Sequence, residues 1–294
     1  MQKFTIRDIE NLTGIKAHTW RIWEQRYQFF TSKRKESLHR FYDNEDLKTL
    51  LRISFLYHTG WKVSKIAELT PARVLEIVRG IDVGDDNYSA FVTQLSEAAI
   101  DFDESSFVAL LDRVSKKIGF EKCVTDVCYP YLQKMGLLWS TNNIIPAQEH
   151  FSSYIIQHKI ISETEKIVTE KNTKPDLVLF CPKGERHELP LLFINYLLKK
   201  NKRSTVYLGP NIDLPVLESV AALKDIQFIY LHMITNFTGV FIDEYLEKLQ
   251  KKFPGKTIVA SGAEILKSER KIRNIVLLKT DRQIYDFIEK GIKP

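Results

Sequence analysis

The stretch GERHELP, Gly184 to Pro190, sets an imidazole among carboxylates: Glu185, His187 and Glu188. It follows directly on the apolar run PDLVLFCP. A histidine placed there has two readings. It is a ligand for a metal-bearing cofactor, or a polar residue at the mouth of a strand. A second pattern lies upstream, where Trp139 is followed after nine residues by Glu149 and His150. Taken alone, that pattern reads as a core tryptophan and an acid at a helix N-terminus. A third set lies near the start. His18, Thr19 and Arg21, then Lys33, Arg34, Lys35, His39 and Arg40, are donors and cations of the kind that meet bases and phosphates.

Composition narrows what these residues serve. A chain of 294 residues with 44% hydrophobic and 27% charged content has room for two domains or three small ones. No apolar run reaches the ~20 residues of a membrane span, and MQKFTIRDIENLTG has no apolar signal core, so a cytoplasmic protein is expected. Cys123, Cys128 and Cys181 form no CxxC pair, which fits a reducing compartment. Charge is unevenly spread. Residues 1–70 carry 13 Lys/Arg against 8 Asp/Glu, residues 71–170 carry 9 against 15, and residues 171–294 carry 21 against 14. A basic N-terminal unit beside an acidic middle implies separate jobs, with a polyanion at the basic end. No Cys, Ser or His pattern for covalent or hydrolytic chemistry occurs, and no phosphate-binding glycine loop.

The elements follow from local signals. Thr5 with Asp8 caps a short helix that Gly14 ends, and AHTWRIWEQRY gives a second, with Trp20, Ile22 and Trp23 toward a core. FFTSKRKESLHRFY reads as a basic hairpin. DNEDLKTLLRISFLYHTG gives a third helix and WKVSKIAELT a short fourth. TPARVLEIVRGIDVGDDNYSAF reads as a linker, broken most clearly at residues 82–87.

In this order, residues 3–70 resemble the MerR family of winged-helix regulators without a gap. The resemblance implies that His18, Thr19 and Arg21 approach base edges or flanking phosphates from a recognition helix. It assigns Lys33, Arg34, Lys35, His39 and Arg40 to a wing that grips the backbone. It also implies a double-stranded DNA operator and self-association as dimer or tetramer. Leu38 stands where the wing turn usually has glycine, and Lys35 where threonine or asparagine is common.

From Phe91 to about Lys166, apolar residues recur at three and four, and four helices fit. The Trp139, Glu149 and His150 spacing resembles the helical cap beside the cobalamin domain of light-sensing MerR-type repressors, the CarH and LitR group. That resemblance places all three over the upper corrin face. Ser140 follows Trp139, so no histidine stands there to capture the metal after photolysis.

From Pro175 the period changes. Five apolar strands alternate with helices, the signature of a doubly wound, flavodoxin-like parallel sheet whose ligands bind beyond the strands' carboxyl ends. Such a sheet behind a helical cap resembles the cobalamin-binding domains of methionine synthase and its relatives. Their Asp-x-His-x-x-Gly loop becomes Glu185-Arg186-His187-Glu188-Leu189-Pro190. Their Ser-x-Leu falls on His232-Met233-Ile234 and their Gly-Gly on Gly262-Ala263. The resemblance makes His187 the lower cobalt ligand and Glu185 its orienting carboxylate. It sets His232 and Gly262 beside the nucleotide tail, where His232 and Pro190 would take up space.

The expectation is a multidomain α and α/β protein. Residues 1–75 are a winged helix-turn-helix, residues 88–168 a four-helix cap, and residues 173–294 a Rossmann-like cobalamin-type domain. Its function is transcriptional regulation by repression, with adenosylcobalamin or light read out through oligomer change. One alternative is the same regulator with a cofactor-free sensor domain that acts through protein partners. A remote alternative is a corrinoid-dependent methyltransferase module, which the basic N-terminal unit opposes. No enzymatic activity is expected.

Overall fold

The structure, a computed structural model, describes residues 4–28, 33–34, 40–80, 88–140, 146–168, 174–235 and 239–291. The chain forms two compact units, Met1–Ile155 and Ile156–Pro294.

In the first unit, α1 (Ile6–Thr13) begins at the capping box expected from Thr5 and Asp8. Gly14, at φ 69°, turns the chain into α2 (Ala17–Tyr27). Lys16 offers α2 no side-chain cap. Instead Glu10 of α1 accepts the Ala17 N–H at 3.0 Å and pairs with Lys16, so one carboxylate ties the two helices. Strands β1 (Lys33–Arg34) and β2 (Arg40–Phe41) pair antiparallel, and Phe4 and Tyr42 bridge the N-terminus to the end of the hairpin. Asp43 and Asp46 form a second capping box, which opens α3 (Asn44–His58). The core here is Ile9, Leu12, Trp20, Leu47, Leu50 and Leu51.

After the short α4 (Val63–Ala67), residues expected as a linker are helical instead: α5 (Pro71–Gly80). Its first-turn proline needs no backbone donor, and Val74 and Val78 are buried at helical spacing. Then come α6 (Ser89–Ile100), α7 (Glu104–Ile118), α8 (Phe120–Lys122) and α9 (Tyr129–Ser140). A π-helical turn, Cys123–Cys128, joins α8 to α9. α10 (Pro146–Glu165) follows. The buried faces of α6 and α7 carry Leu95, Ala98, Ala99, Phe107, Leu110, Leu111 and Val114.

The second unit is an all-parallel sheet with order β4-β3-β5-β6-β7. Its strands are β3 (Leu177–Pro182), β4 (Thr205–Ile212), β5 (Phe228–His232), β6 (Thr257–Ser261) and β7 (Ile275–Leu278). The helices between and after them are α11 (Leu189–Lys200), α12 (Leu214–Leu223), α13 (Ile242–Lys252) and α14 (Asp281–Lys290). β3 is buried along its whole length, as an inner parallel strand must be. A 3-10 helix covers Ala263–Lys267, and the Ser268 hydroxyl is drawn away to Asp243 at 2.5 Å.

Candidate cofactor site and nucleic-acid interface

The strand order reverses at β3, whose neighbours are β4 and β5. The crevice of such a sheet opens beyond the carboxyl ends of the strands at that reversal. The loop after β3 carries Glu185 and His187. The loop after β5 carries Ile234 and Thr235.

Gly184, at φ 87°, lets the chain turn sharply out of β3, and its N–H goes to the Asn211 side chain at 3.0 Å. Asn211 returns its own N–H to the Glu185 carbonyl at 3.1 Å. The turn directs Glu185 inward, where it is 1% exposed. One carboxylate oxygen, Oε1, accepts from the His187 backbone N–H at 2.8 Å and faces the His187 Nδ1 at 2.6 Å. The other, Oε2, accepts the Ile234 and Thr235 N–H groups, each at 2.7 Å, and the Thr235 hydroxyl at 3.2 Å. Burial works to raise this carboxyl. The hydrogen bonds from His187, Thr235 and Ile234 outweigh it and hold the group near about 2. The result is a buried, ionised carboxylate fixing an imidazole that is 45% exposed at its side chain. With Nδ1 on the carboxylate, Nε2 is the atom that would meet a metal. Among the described residues, no three His, Cys, Asp or Glu side chains gather into a metal cage.

Pro190 stands at the second position of α11, where its ring costs no helical hydrogen bond. Glu188 accepts the Tyr207 hydroxyl at 2.8 Å, so the third charged residue of the stretch serves the β4 side.

His232 closes β5 and is 6% exposed. Its Nδ1 lies 2.8 Å from the Ser261 hydroxyl, which also meets the Tyr230 hydroxyl at 2.7 Å. Burial lowers its pKa to about 4, so it is neutral in the folded chain. Gly262 has φ 109°, and a Cβ there would sit 2.2 Å from the Met233 carbonyl oxygen. The close approach at Gly262 is therefore to the β5 loop's own backbone.

In the first unit, Glu149 and His150 occupy the start of α10, with Glu149 Oε2 and His150 Nδ1 3.5 Å apart. Gln148, 2% exposed, sends its amide to the Ile100 carbonyl at 2.8 Å. Trp139 lies on α9, with its side chain outside the described residues.

The second helix of the N-terminal pair presents His18, Arg21, Ile22 and Gln25 as one exposed stripe, and Thr19 is half-buried beside it. Ile22 was expected in the core. It is 53% exposed, because Trp20 and Trp23, edge to face at 5.0 Å, already fill the inner face. The Trp20 Nε1 donates to Thr13 at 3.0 Å and locks α2 to α1. Lys33, Arg34 and Arg40 lie on the paired strands, Arg34 opposite Arg40. Lys35 and His39 lie outside the described residues.

Several partners in these sites were not singled out from sequence: Asn211, Thr235, Ser261 and Tyr230. The signal for Thr235 was its place at the carboxyl end of a strand next to the reversal.

Residues 4–73 match the MerR HTH family regulatory protein model, and residues 92–161 match a B12 binding domain model. The chain is 24% identical over 268 residues to the HTH-type transcriptional repressor CarH of Myxococcus xanthus, covering 88% of this chain and 89% of that protein. It is 27% identical over 207 residues to the repressor CarA of the same organism, covering 69% and 67%. Among solved structures, the monomethylamine corrinoid protein of Methanosarcina barkeri superposes with a TM-score of 0.52 at 12% identity. The match covers 70% of this chain and all of that one, a likeness of fold. No helix among the described residues is long and apolar enough to cross a membrane. The chain thus carries a MerR-type helix-turn-helix regulatory domain and a B12 binding domain, and is homologous over most of its length to the repressors CarH and CarA.

Proposed function

We propose that this chain is a DNA-binding transcriptional regulator that senses cobalamin, acts as a repressor, and takes adenosylcobalamin as the bound form. The carrying observation is Glu185. A carboxylate with five hydrogen-bond contacts, buried at the sheet's reversal point and fixing an exposed imidazole, suits a ligand histidine better than a surface one.

The donor set fits a cobalt-bearing corrinoid. His187 would hold its lower face through Nε2, and Glu185 would fix the imidazole's orientation and tautomer. Thr235 and Ile234 would keep Glu185 ionised. Trp139, Glu149 and His150 would line the upper face, where an indole packs on a flat group and a carboxylate accepts hydroxyl hydrogen bonds. When bound, the cofactor supplies a cobalt–carbon bond that light can break. The protein's part is to bind, orient and report.

On DNA, α2 would lie in the major groove, with His18, Thr19 and Arg21 at base edges or flanking phosphates. Lys33, Arg34, Lys35, His39 and Arg40 of the hairpin would hold the backbone. Assembly into a dimer or tetramer would raise affinity by tethering several heads, so a change of assembly is an effective switch. The work is cytoplasmic, and residues 1–75, 88–168 and 173–294 are the units that divide it.

Duplex binding tests the reading. It should be tight at low salt, fall steeply as salt rises, and change at least fivefold when adenosylcobalamin is added in the dark. Binding that ignores salt would end the DNA reading. Binding that ignores the corrinoid would favour a second reading, a regulator with a cofactor-free sensor domain that answers to a protein partner. The packing of His232 onto Ser261 and Tyr230 supports that second reading, because those side chains are buried at the carboxyl ends of β5 and β6.

A further inference from the structure

Two ion pairs one helical turn apart join α3 of the DNA-binding domain to α6 of the bundle. Arg52 grips Glu97 with both ends of its fork, Nε to Oε1 at 2.8 Å and Nη2 to Oε2 at 2.6 Å. Their side chains are only 15% and 11% exposed. Lys48, 8% exposed, reaches both oxygens of Asp101, at 3.0 and 2.8 Å. A bidentate pair withdrawn from water fixes direction as well as distance. Arg52–Glu97 is such a pair; Lys48–Asp101, with Asp101 47% exposed, is its more solvated companion one turn back on stretches that run antiparallel, and together they fix the rotation of α3 on α6.

The ladder is tied at both ends. On the bundle side, Asp101 begins the turn that follows α6, and α10 holds that turn twice. Gln148 bonds the Ile100 carbonyl at 2.8 Å, and Phe151 meets Phe102 edge to face at 5.4 Å. On the DNA-binding side, α3 carries Tyr57 and His58 a turn beyond Arg52. Tyr57 packs edge to face on Trp23 of α2 at 5.0 Å, and His58 Nε2 lies 2.8 Å from the Thr13 carbonyl.

We propose that Lys48–Asp101 and Arg52–Glu97 form a ladder that holds the DNA-binding helices in one orientation on the bundle, and that Gln148 and Phe151 link the ladder to the start of α10. The second half of the proposal rests on the functional reading above, since the interest of α10 is that it carries Glu149 and His150. A ligand that shifts the first turn of α10 then acts on the turn at Asp101, on α3 and on α2 through packed, discrete contacts. The role assigned to these residues is to position their neighbours.

Hydrogen exchange on the full-length protein tests both halves. Arg52→Glu and Glu97→Arg should each speed exchange in α3 and in the last turn of α6 by about tenfold or more, as local opening becomes easier. The double swap, Arg52→Glu with Glu97→Arg, should return exchange to within about threefold of the parent. A double swap as labile as the singles, or singles that exchange like the parent, would overturn the ladder. Should a single variant fail to fold, the swap still decides. Gln148→Leu keeps the volume and removes the amide, and should speed exchange at Asp101 and in α3 without added ligand. Unchanged α3 in that variant overturns the link to α10. Adenosylcobalamin is a separate arm. A parent protein that retains no corrinoid overturns the functional reading, while the ladder stands or falls on the ligand-free exchange.

Discussion

Glu185 and His187, two residues apart, share one hydrogen-bonded carboxylate oxygen: Oε1 lies 2.6 Å from the imidazole Nδ1 and 2.8 Å from the same residue's backbone nitrogen. The carboxylate cannot be moved without releasing the backbone donors of Ile234 and Thr235 as well. The loops after β3 and β5 are therefore one structure, built around a single buried charge.

Glu185→Ala should destabilise the second unit by about 2–4 kcal/mol, because several donors lose a charged partner at once. Glu185→Asp should recover part of that. The measure is hydrogen exchange of the β5 and β6 amides, since all four tryptophans lie before residue 140 and report on the other unit. Equal exchange in parent and Glu185→Ala would show the carboxylate to be incidental.

His232 makes the second unit sensitive to mild acid. Its folded pKa, about 4, lies below the ordinary 6.5, so the neutral form is the folded one. Stability is complete above pH 6.5 and falls as pH drops toward 4, by about 3 kcal/mol in all. His232→Gln should remove the dependence between pH 6.5 and 4.5, as followed by thermal melts across that range. An unchanged slope would assign the acid sensitivity elsewhere.

Gly262 tolerates no side chain. Gly262→Ala places a methyl 2.2 Å from the Met233 carbonyl at a backbone angle that L residues avoid. The cost should be on the order of 3 kcal/mol. Gly255→Ala, with open space around its Cβ, is the control and should be near neutral. Equal melting temperatures for the two variants would refute the close approach.

Arg21→Ala should weaken duplex binding by about 1–3 kcal/mol and relax sequence preference. Arg40→Ala should weaken binding on all sequences alike and flatten the salt slope by about one. Fluorescence anisotropy across a salt series separates the two. An unchanged slope for Arg40→Ala would remove the hairpin from the contact surface.

Much of this was legible in the sequence because it rests on period and type. The alternation of apolar strands and helices from Pro175 is a backbone pattern, and the sheet follows it. Glu185 and His187 could be paired because they are neighbours in the chain. Ile234 and Thr235 could not, since their shortest bonds to Glu185 come from backbone N–H groups that every residue but proline carries. Lys48 and Asp101 are 53 residues apart, and nothing local marks either as paired. Ile22 was misplaced because an apolar residue beside two tryptophans reads as core. Only the inner face's capacity, filled by Trp20 and Trp23, turns it outward. The linker reading at α5 failed because Asp82 to Asn87 drew the boundary back over a helix whose buried stripe is just Val74 and Val78.

The most direct test of the central claim is the visible spectrum of the purified protein, incubated with adenosylcobalamin in the dark and freed of excess by gel filtration. The account predicts a retained corrin spectrum in the parent and its loss or marked change in His187→Ala, with elution volume changing on cofactor binding. A colourless parent protein with unchanged elution would contradict it.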